Sequence, residues 1–292
     1  MKRILFFLII LIASVPAYAQ YDISNPPRFI FLPDGLQFVP LRANIEEPRI
    51  GVYKFLNNSH MKVDIGNTVD LFGLDVPQEN IKFRAGIDFM AYALVTGNQG
   101  LRLQIDAVDG FFGGNISFSK SYQGEQLQSR LRILHHSAHL VDGHYSIGAK
   151  SWIDNRVPIP YTRDYGELVV AYMLKPEFGT LRYYGGLSYA TLIRPSIIKR
   201  FEYLAGIEFS ADKDVIPVFG KPVSMFSAYH ISMTGTPVYA ATHQVQVGIK
   251  FGKWYGKGIS FYVSYYTGRH MFAEYFDERI TTIGTGFTVD FF

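Results

Sequence analysis

From Arg49 to the end of the chain, apolar and polar residues alternate with a period of two, the signature of strands with one apolar and one polar face. Phe83, Ala85, Ile87, Phe89, Ala91 and Ala93 interleave with Lys82, Arg84, Gly86, Asp88, Met90 and Tyr92. Leu101, Leu103, Ile105 and Ala107 interleave with Arg102, Gln104 and Asp106, and His243, Val245, Val247, Ile249 and Phe251 with Gln244, Gln246, Gly248 and Lys250. Similar alternation marks 49–56, 61–71, 126–141, 165–175, 180–192, 201–211, 222–233, 258–267 and 279–292, giving about 12 strands in all. That even number of segments, each about long enough to cross a bilayer when tilted, predicts an all-β fold, a single antiparallel transmembrane β-barrel.

Two segments precede the barrel. Lys2 and Arg3, the apolar run Ile4 to Ile12 and the small-residue site Ala17-Tyr18-Ala19 read as a cleaved signal peptide over 1–19. Residues 20–48 hold Pro26, Pro27, Pro33, Pro40 and Pro48, too many for a helix or a ladder strand. This lead-in is expected to lie outside the wall or inside the lumen, and 49–292 to form the barrel.

Composition sharpens the choice between a membrane barrel and a soluble sandwich. Hydrophobic residues make up 48%, aromatics 16% and charged residues only 18%, with 20 Tyr and 24 Phe. A sandwich turns a charged face to water, whereas few charges and many aromatics suit a lipid-facing band with aromatic girdles. Cysteine is absent, which excludes a disulfide framework and a lipidated cysteine anchor. The net charge of +3 includes Lys2 and Arg3, so nothing points to nucleic acid. The expected partners are outer-membrane lipids and, through the closing run Gly286-Phe287-Thr288-Val289-Asp290-Phe291-Phe292, the barrel-assembly machinery. The expected location is the bacterial outer membrane, with the long connection 141–164 on the extracellular side.

One stretch carries candidate chemistry. Along Leu127 to Asp142, the outward set Leu127, Leu131 and Ile133 continues as His135, Ser137 and His139, while Gln128, Arg130 and Arg132 face inward. Residues two apart on a strand stand about 6.6 Å apart, within reach for an imidazole to activate a hydroxyl. A short turn near Ser121 to Glu125 would set positions summing to about 246 opposite one another, and Asp109 across from Ser137 as an orienting acid on the lipid face. Asp142 and His144 follow, and His135 or His139 with His144 is a weaker metal reading. No phosphate loop, dinucleotide fingerprint or zinc-protease motif occurs.

Several segments resemble the bacterial family known as domain of unknown function 1207: Pro40-Leu41-Arg42-Ala43 with Glu47-Pro48-Arg49, the run Arg130 to Asp142, and Leu181-Arg182-Tyr183-Tyr184-Gly185-Gly186 with Ala205-Gly206-Ile207-Glu208. The family pattern in the central run is His-x-Ser-Ser-His-Leu-Gly-Asp-Glu; His135, Ser137, His139, Leu140 and Asp142 match it, while Ala138, Val141 and Gly143 depart. The resemblance implies an exported barrel and no established activity. At the His-x-Ser pair alone the chain also looks similar to outer-membrane phospholipase A and lipid A deacylases, although Ala138 stands where those enzymes usually carry Asn.

Two functional readings result. The first is a non-enzymatic barrel, structural or a narrow channel, in which inward Lys82, Arg84, Asp88, Arg102, Asp106, Arg130, Arg132, Glu202, Glu208 and Lys250 fill or line the lumen. The second is an outer-leaflet lipid hydrolase built on Ser137, His135 and Asp109, with His139 and Asp142 as motif members. No cofactor is identified; a lipase-like site would make a divalent cation the candidate. The barrel itself is tested by heat-modifiable gel mobility: the folded protein is expected to migrate differently before and after boiling, and identical mobilities would count against it.

Overall fold

A computed structural model describes residues 25–98, 102–211 and 217–292. The signal peptide expected over 1–19 lies outside the described residues, as does Leu101. The strands are β1 (Arg28–Phe31), β2 (Ile50–Phe55), β3 (His60–Val76), β4 (Ile81–Asn98), β5 (Arg102–Tyr122), β6 (Glu125–Leu140), β7 (Tyr145–Ser146), β8 (Ser151–Trp152), β9 (Tyr161–Leu174), β10 (Thr180–Arg194), β11 (Phe201–Ala211), β12 (Val223–Gly235), β13 (Tyr239–Gly252), β14 (Gly258–Arg269) and β15 (Arg279–Asp290). Strands β2 to β6 and β9 to β15 pair in sequence order, and β15 returns to β2 from Gly284↔Phe55 to Val289↔Ile50, closing a 12-strand antiparallel barrel. Closure pairs the first wall strand with the last, as a bilayer requires, where unpaired backbone groups are prohibitively costly, and β1 is paired on one side only. The chain is a closed β-barrel with an apolar outer face, as a membrane-spanning wall requires.

Alternation sets the two faces of the wall. On β4, Phe83, Ile87 and Phe89 are exposed outward, while Arg84, Asp88, Met90 and Tyr92 are buried inside. On β6, Leu131 and Ile133 face out and Arg130 and Arg132 face in. Strand β5 departs from simple alternation. A bulge opposite Leu94 and Val95 inserts Asp106, so Leu103 and Ile105 face outward but Ala107, Asp109 and Phe111 face the lumen. The expected outward series Leu101, Leu103, Ile105, Ala107 therefore breaks before Ala107.

The lead-in contributes a short ladder strand, contrary to the expectation from its prolines, which flank that strand at Pro26, Pro27 and Pro33. β1 lies against the far end of β3, from Arg28↔Asp75 to Phe31↔Phe72, on the same edge that β2 uses from Gly51↔Asp64 to Lys54↔Met61. The chain then turns into the lumen, where Phe38, Val39, Leu41, Ala43 and Glu47 are buried. Phe38 and Leu41 pack with Val169, Ala171, Tyr184 and Leu204 of the wall. The Arg49 guanidinium donates to the carbonyls of Leu41, Arg42 and Asn44 and folds this segment back on itself.

Charge fixes the segment in place. Arg130 grips the Glu47 carboxylate through two contacts of 2.9 and 2.5 Å, while Arg132 pairs with Glu167 at 2.7 Å and donates to the Glu46 carbonyl. The Glu46 carboxylate meets Arg163 at 2.5 Å and Arg269 at 3.2 Å, and Arg163 also reaches Glu202 at 2.8 Å. Nearer the other rim, Arg42 and Lys250 share Asp290 at 2.7 and 2.6 Å, and Arg182 holds Glu208 at 2.6 Å while donating to the Val39 carbonyl. The inward charges thus form a filled network rather than an open lining.

Removing one partner of a buried pair strands the other charge, which typically costs about 3–5 kcal/mol. Glu47→Ala is accordingly expected to lower the stability of the folded barrel by about that amount, read as a shift of the urea midpoint in detergent; an unchanged midpoint would show the lumen segment to be energetically idle.

Candidate functional site

Strand β6 pairs without interruption with β5 on one side and β9 on the other, so its alternation survives to Leu140. His135, Ser137 and His139 do share the outward face with Leu131 and Ile133. Across β9, the Cα partner of His135 is Asp164 and that of Ser137 is Thr162. The His135 Nδ1–H donates to Asp164 Oδ1 at 2.6 Å, with both side chains partly exposed on the outer wall. In the neutral ring that bond leaves Nε2 as the acceptor nitrogen. Phe112 of β5 packs against the imidazole at a tilt, ring centroids 4.9 Å apart. The Ser137 hydroxyl makes no hydrogen bond among the described residues, to His135 or any other group.

Asp109 does not orient this site. The turn between β5 and β6 holds Gln123 and Gly124, both at positive φ (34° and 94°), and pairs Tyr122 with Glu125. Opposing positions hence sum to one more than expected: Gly110 faces Ser137 and Asp109 faces Ala138. The bulge at Asp106 and this register together turn Asp109 inward, where it is fully buried. Its partner is His136, whose Nε2–H donates to Asp109 Oδ2 at 2.8 Å while Phe111 stacks on the ring at 3.8 Å. Asp142 opens the turn Asp142–His144 beyond β6. His144 is buried in the mouth and donates through Nε2 to the Ile153 carbonyl, so it is spent away from the outward row.

The inward pair serves the outer rim instead. Asp109 accepts the backbone N–H of Ala273 at 3.1 Å, and Arg156 of the connection 141–160 donates to the Glu274 carbonyl at 2.8 Å and binds Asp277 and Glu278. Phe272 and Glu274 are fully buried, so the connection 270–278 forms a lid over the lumen. Burial pushes the His270 imidazole of this lid down to about 4, with His60, Arg156 and Arg269 adding to the fall.

Asp164 is the functional candidate that sequence reasoning missed. Its strand was expected from 165, whereas β9 begins at Tyr161, and the preceding wall strand ends at Leu140, across a 20-residue connection whose pairing no turn signal fixes. The signal available was alternation, since Asp164 continues the outward set Gly166, Leu168 and Val170. Among the described residues no group of three or more His, Cys, Asp or Glu is arranged to hold a metal ion.

A family model described as "Protein of unknown function (DUF1207)" matches residues 31–291. No curated protein matches the chain. Among solved structures, it is similar to the Pseudomonas putida toluene transporter TodX, at 10% identity and TM-score 0.41 over 80% of this chain and 69% of that one. The β domain of the Bordetella autotransporter BrkA gives 13% identity and TM-score 0.41 over 83% and 97%, and LpxR from Salmonella typhimurium 11% and 0.38 over 80% and 88%. These likenesses are distant and carry no correspondence between site residues.

The His270 lid has a pH signature. A histidine held neutral in the folded lid favours folding fully above its ordinary value of 6.5 and loses that contribution as the pH falls towards 4. Protease cleavage within 270–278 is expected to quicken over that interval and, at neutral pH, in Asp109→Ala. A cleavage rate independent of both would contradict the anchoring described.

Proposed function

Taking as premise that this outer-membrane barrel belongs to the DUF1207 family, we propose that it is an outer-leaflet lipid ester hydrolase with Ser137 as nucleophile, His135 as base and Asp164 as the acid that positions His135. The observation that carries the reading is the 2.6 Å bond between His135 Nδ1 and Asp164 on the lipid-facing wall, beside a serine on the same strand and face. A carboxylate facing lipid is costly without a role or partner, and here it fixes the tautomer that leaves Nε2 free to take a proton.

The chemistry follows. Rotation of the Ser137 side chain brings Oγ to His135 Nε2, a contact that commonly tightens only when substrate is bound. Oγ then attacks the ester carbonyl of a lipid standing in the outer leaflet, and its proton passes to Nε2. The tetrahedral adduct expels the alcohol, which leaves with that proton. Water, deprotonated by the same imidazole, attacks the acyl-serine; the acyl–Oγ bond breaks, Oγ recovers the proton from Nε2, and a fatty acid is released. The row lies five residues or fewer from the outer end of β6, the depth at which acyl esters meet the head groups.

A narrow channel is the alternative for a charged lumen. Against it stands the segment 36–49, whose Glu46 and Glu47 are bound by four inward arginines, and planar-bilayer recordings of the intact protein are expected to show no conductance. For the hydrolase, purified protein in mixed micelles is expected to release fatty acid. Ser137→Ala should abolish this release, Asp164→Ala should slow it by roughly 10²-fold or more, and Asp109→Asn should leave it at the wild-type rate. Equal release by wild type and Ser137→Ala would refute the assignment.

A further inference from the structure

Around Ser137 the outer wall carries polar groups that the hydrolytic triad does not use. Ser137 on β6, Thr162 on β9 and Arg194 on β10 are successive Cα partners along one line across the sheet. Adjacent strands lie about 4.8 Å apart, which sets the Arg194 backbone roughly 10 Å from Ser137. Ile193 packs inward against Leu134, Tyr165 and Ala190, so Arg194, next along the strand, turns outward and is exposed. On the rim side of Ser137, His139 faces outward about 6.6 Å further along β6.

The side chains of Ser137, His139, Thr162 and Arg194 make no hydrogen bond to another described residue, in contrast to those of their polar neighbours. His135 is spent on Asp164, and elsewhere on the outer wall Tyr229 pairs with His243 and Thr267 with Thr281. Two other guanidiniums of this part of the wall are also spent: Arg163 inside on Glu46 and Glu202, Arg200 on the carbonyls of Ala190 and Thr191. An open guanidinium and an open imidazole therefore flank the serine at head-group level. Beside Ser137 the wall is also low: Gly110 is its β5 partner, and a methyl group built there would meet nothing within 4 Å.

We infer that the lipid taken at this site carries a phosphate close to its acyl ester, and that Arg194 and His139 hold that phosphate while the ester lies over Gly110 at Ser137. A guanidinium presents paired donors that match phosphate oxygens, and the rim of a lipid-facing wall raises the value of such a contact by excluding water. Phosphate and ester carbonyl sit within one head group, and the spacing of Arg194 and His139 from Ser137 fits that separation. Glycerophospholipids and phosphorylated acyl-glucosamine lipids share this chemistry. The inference rests on the hydrolase reading for the ester but not for the phosphate.

The test uses the full-length protein, wild type and Arg194→Gln, in mixed micelles with phosphatidylglycerol, with a phosphorylated acyl-glucosamine lipid, or with diacylglycerol. Heat-modifiable mobility verifies that each variant is folded. Arg194→Gln is expected to lose about tenfold or more in kcat/KM on the phosphate-bearing substrate, with the diacylglycerol rate unchanged, and Arg194→Lys to recover part of the loss. Whichever phosphate-bearing lipid is cleaved identifies the source. Equal losses on all substrates, or none, would overturn the assignment. If the wild type cleaves nothing, the hydrolase reading falls, and native mass spectrometry decides the phosphate site separately. Retained phospholipid that is lost in Arg194→Gln supports it, and equal retention, or none by the wild type, rejects it.

Discussion

Inward-facing arginines are the constraint around which this barrel is arranged. Arg130, Arg132, Arg163 and Arg269 project into a packed lumen, where among the described residues the wall supplies them with Glu167 and Glu202. The remaining carboxylates, Glu46 and Glu47, come from a segment that is no part of the wall. Burying a guanidinium without a carboxylate is far more costly than ordering a few residues of chain, so the lead-in is drawn into the lumen and held there. The same requirement explains the buried Arg42, Arg182 and Lys250 nearer the opposite rim, each matched to Asp290 or Glu208.

Filling the lumen moves any chemistry elsewhere. The mouth is covered by 270–278, pinned by Asp109 and Arg156, and the interior is packed from Phe38 to Glu47. What remains accessible is the outer surface, where a polar group must justify its contact with lipid. The row His135, Ser137, His139 with Asp164 is such a group. Its position on two uninterrupted strands gives it a rigid support that a loop would lack.

Much of this was legible in the residues, because alternation is a direct consequence of one face meeting lipid. The strand count, the faces of β4, β6 and β13, and the outward grouping of His135, Ser137 and His139 all follow from that period. Two features are invisible to it. The bulge at Asp106 inserts one residue and reverses every side chain after it, which carried Asp109 from the expected lipid face to the lumen. Pairing across the connection 141–160 depends on how that connection folds, so Asp164 could not be aligned with His135 by counting. The lead-in shows the same limit: its prolines exclude a helix, yet only the buried arginines decide that it enters the barrel.

The central claim is that the outward serine is made reactive by the His135–Asp164 pair, and covalent labelling tests it without knowledge of the substrate. Folded protein treated with a fluorophosphonate probe is expected to carry the adduct on Ser137 by peptide mass spectrometry, with labelling lost in His135→Ala and weakened in Asp164→Ala. An unlabelled Ser137, or labelling indifferent to both substitutions, would contradict the account.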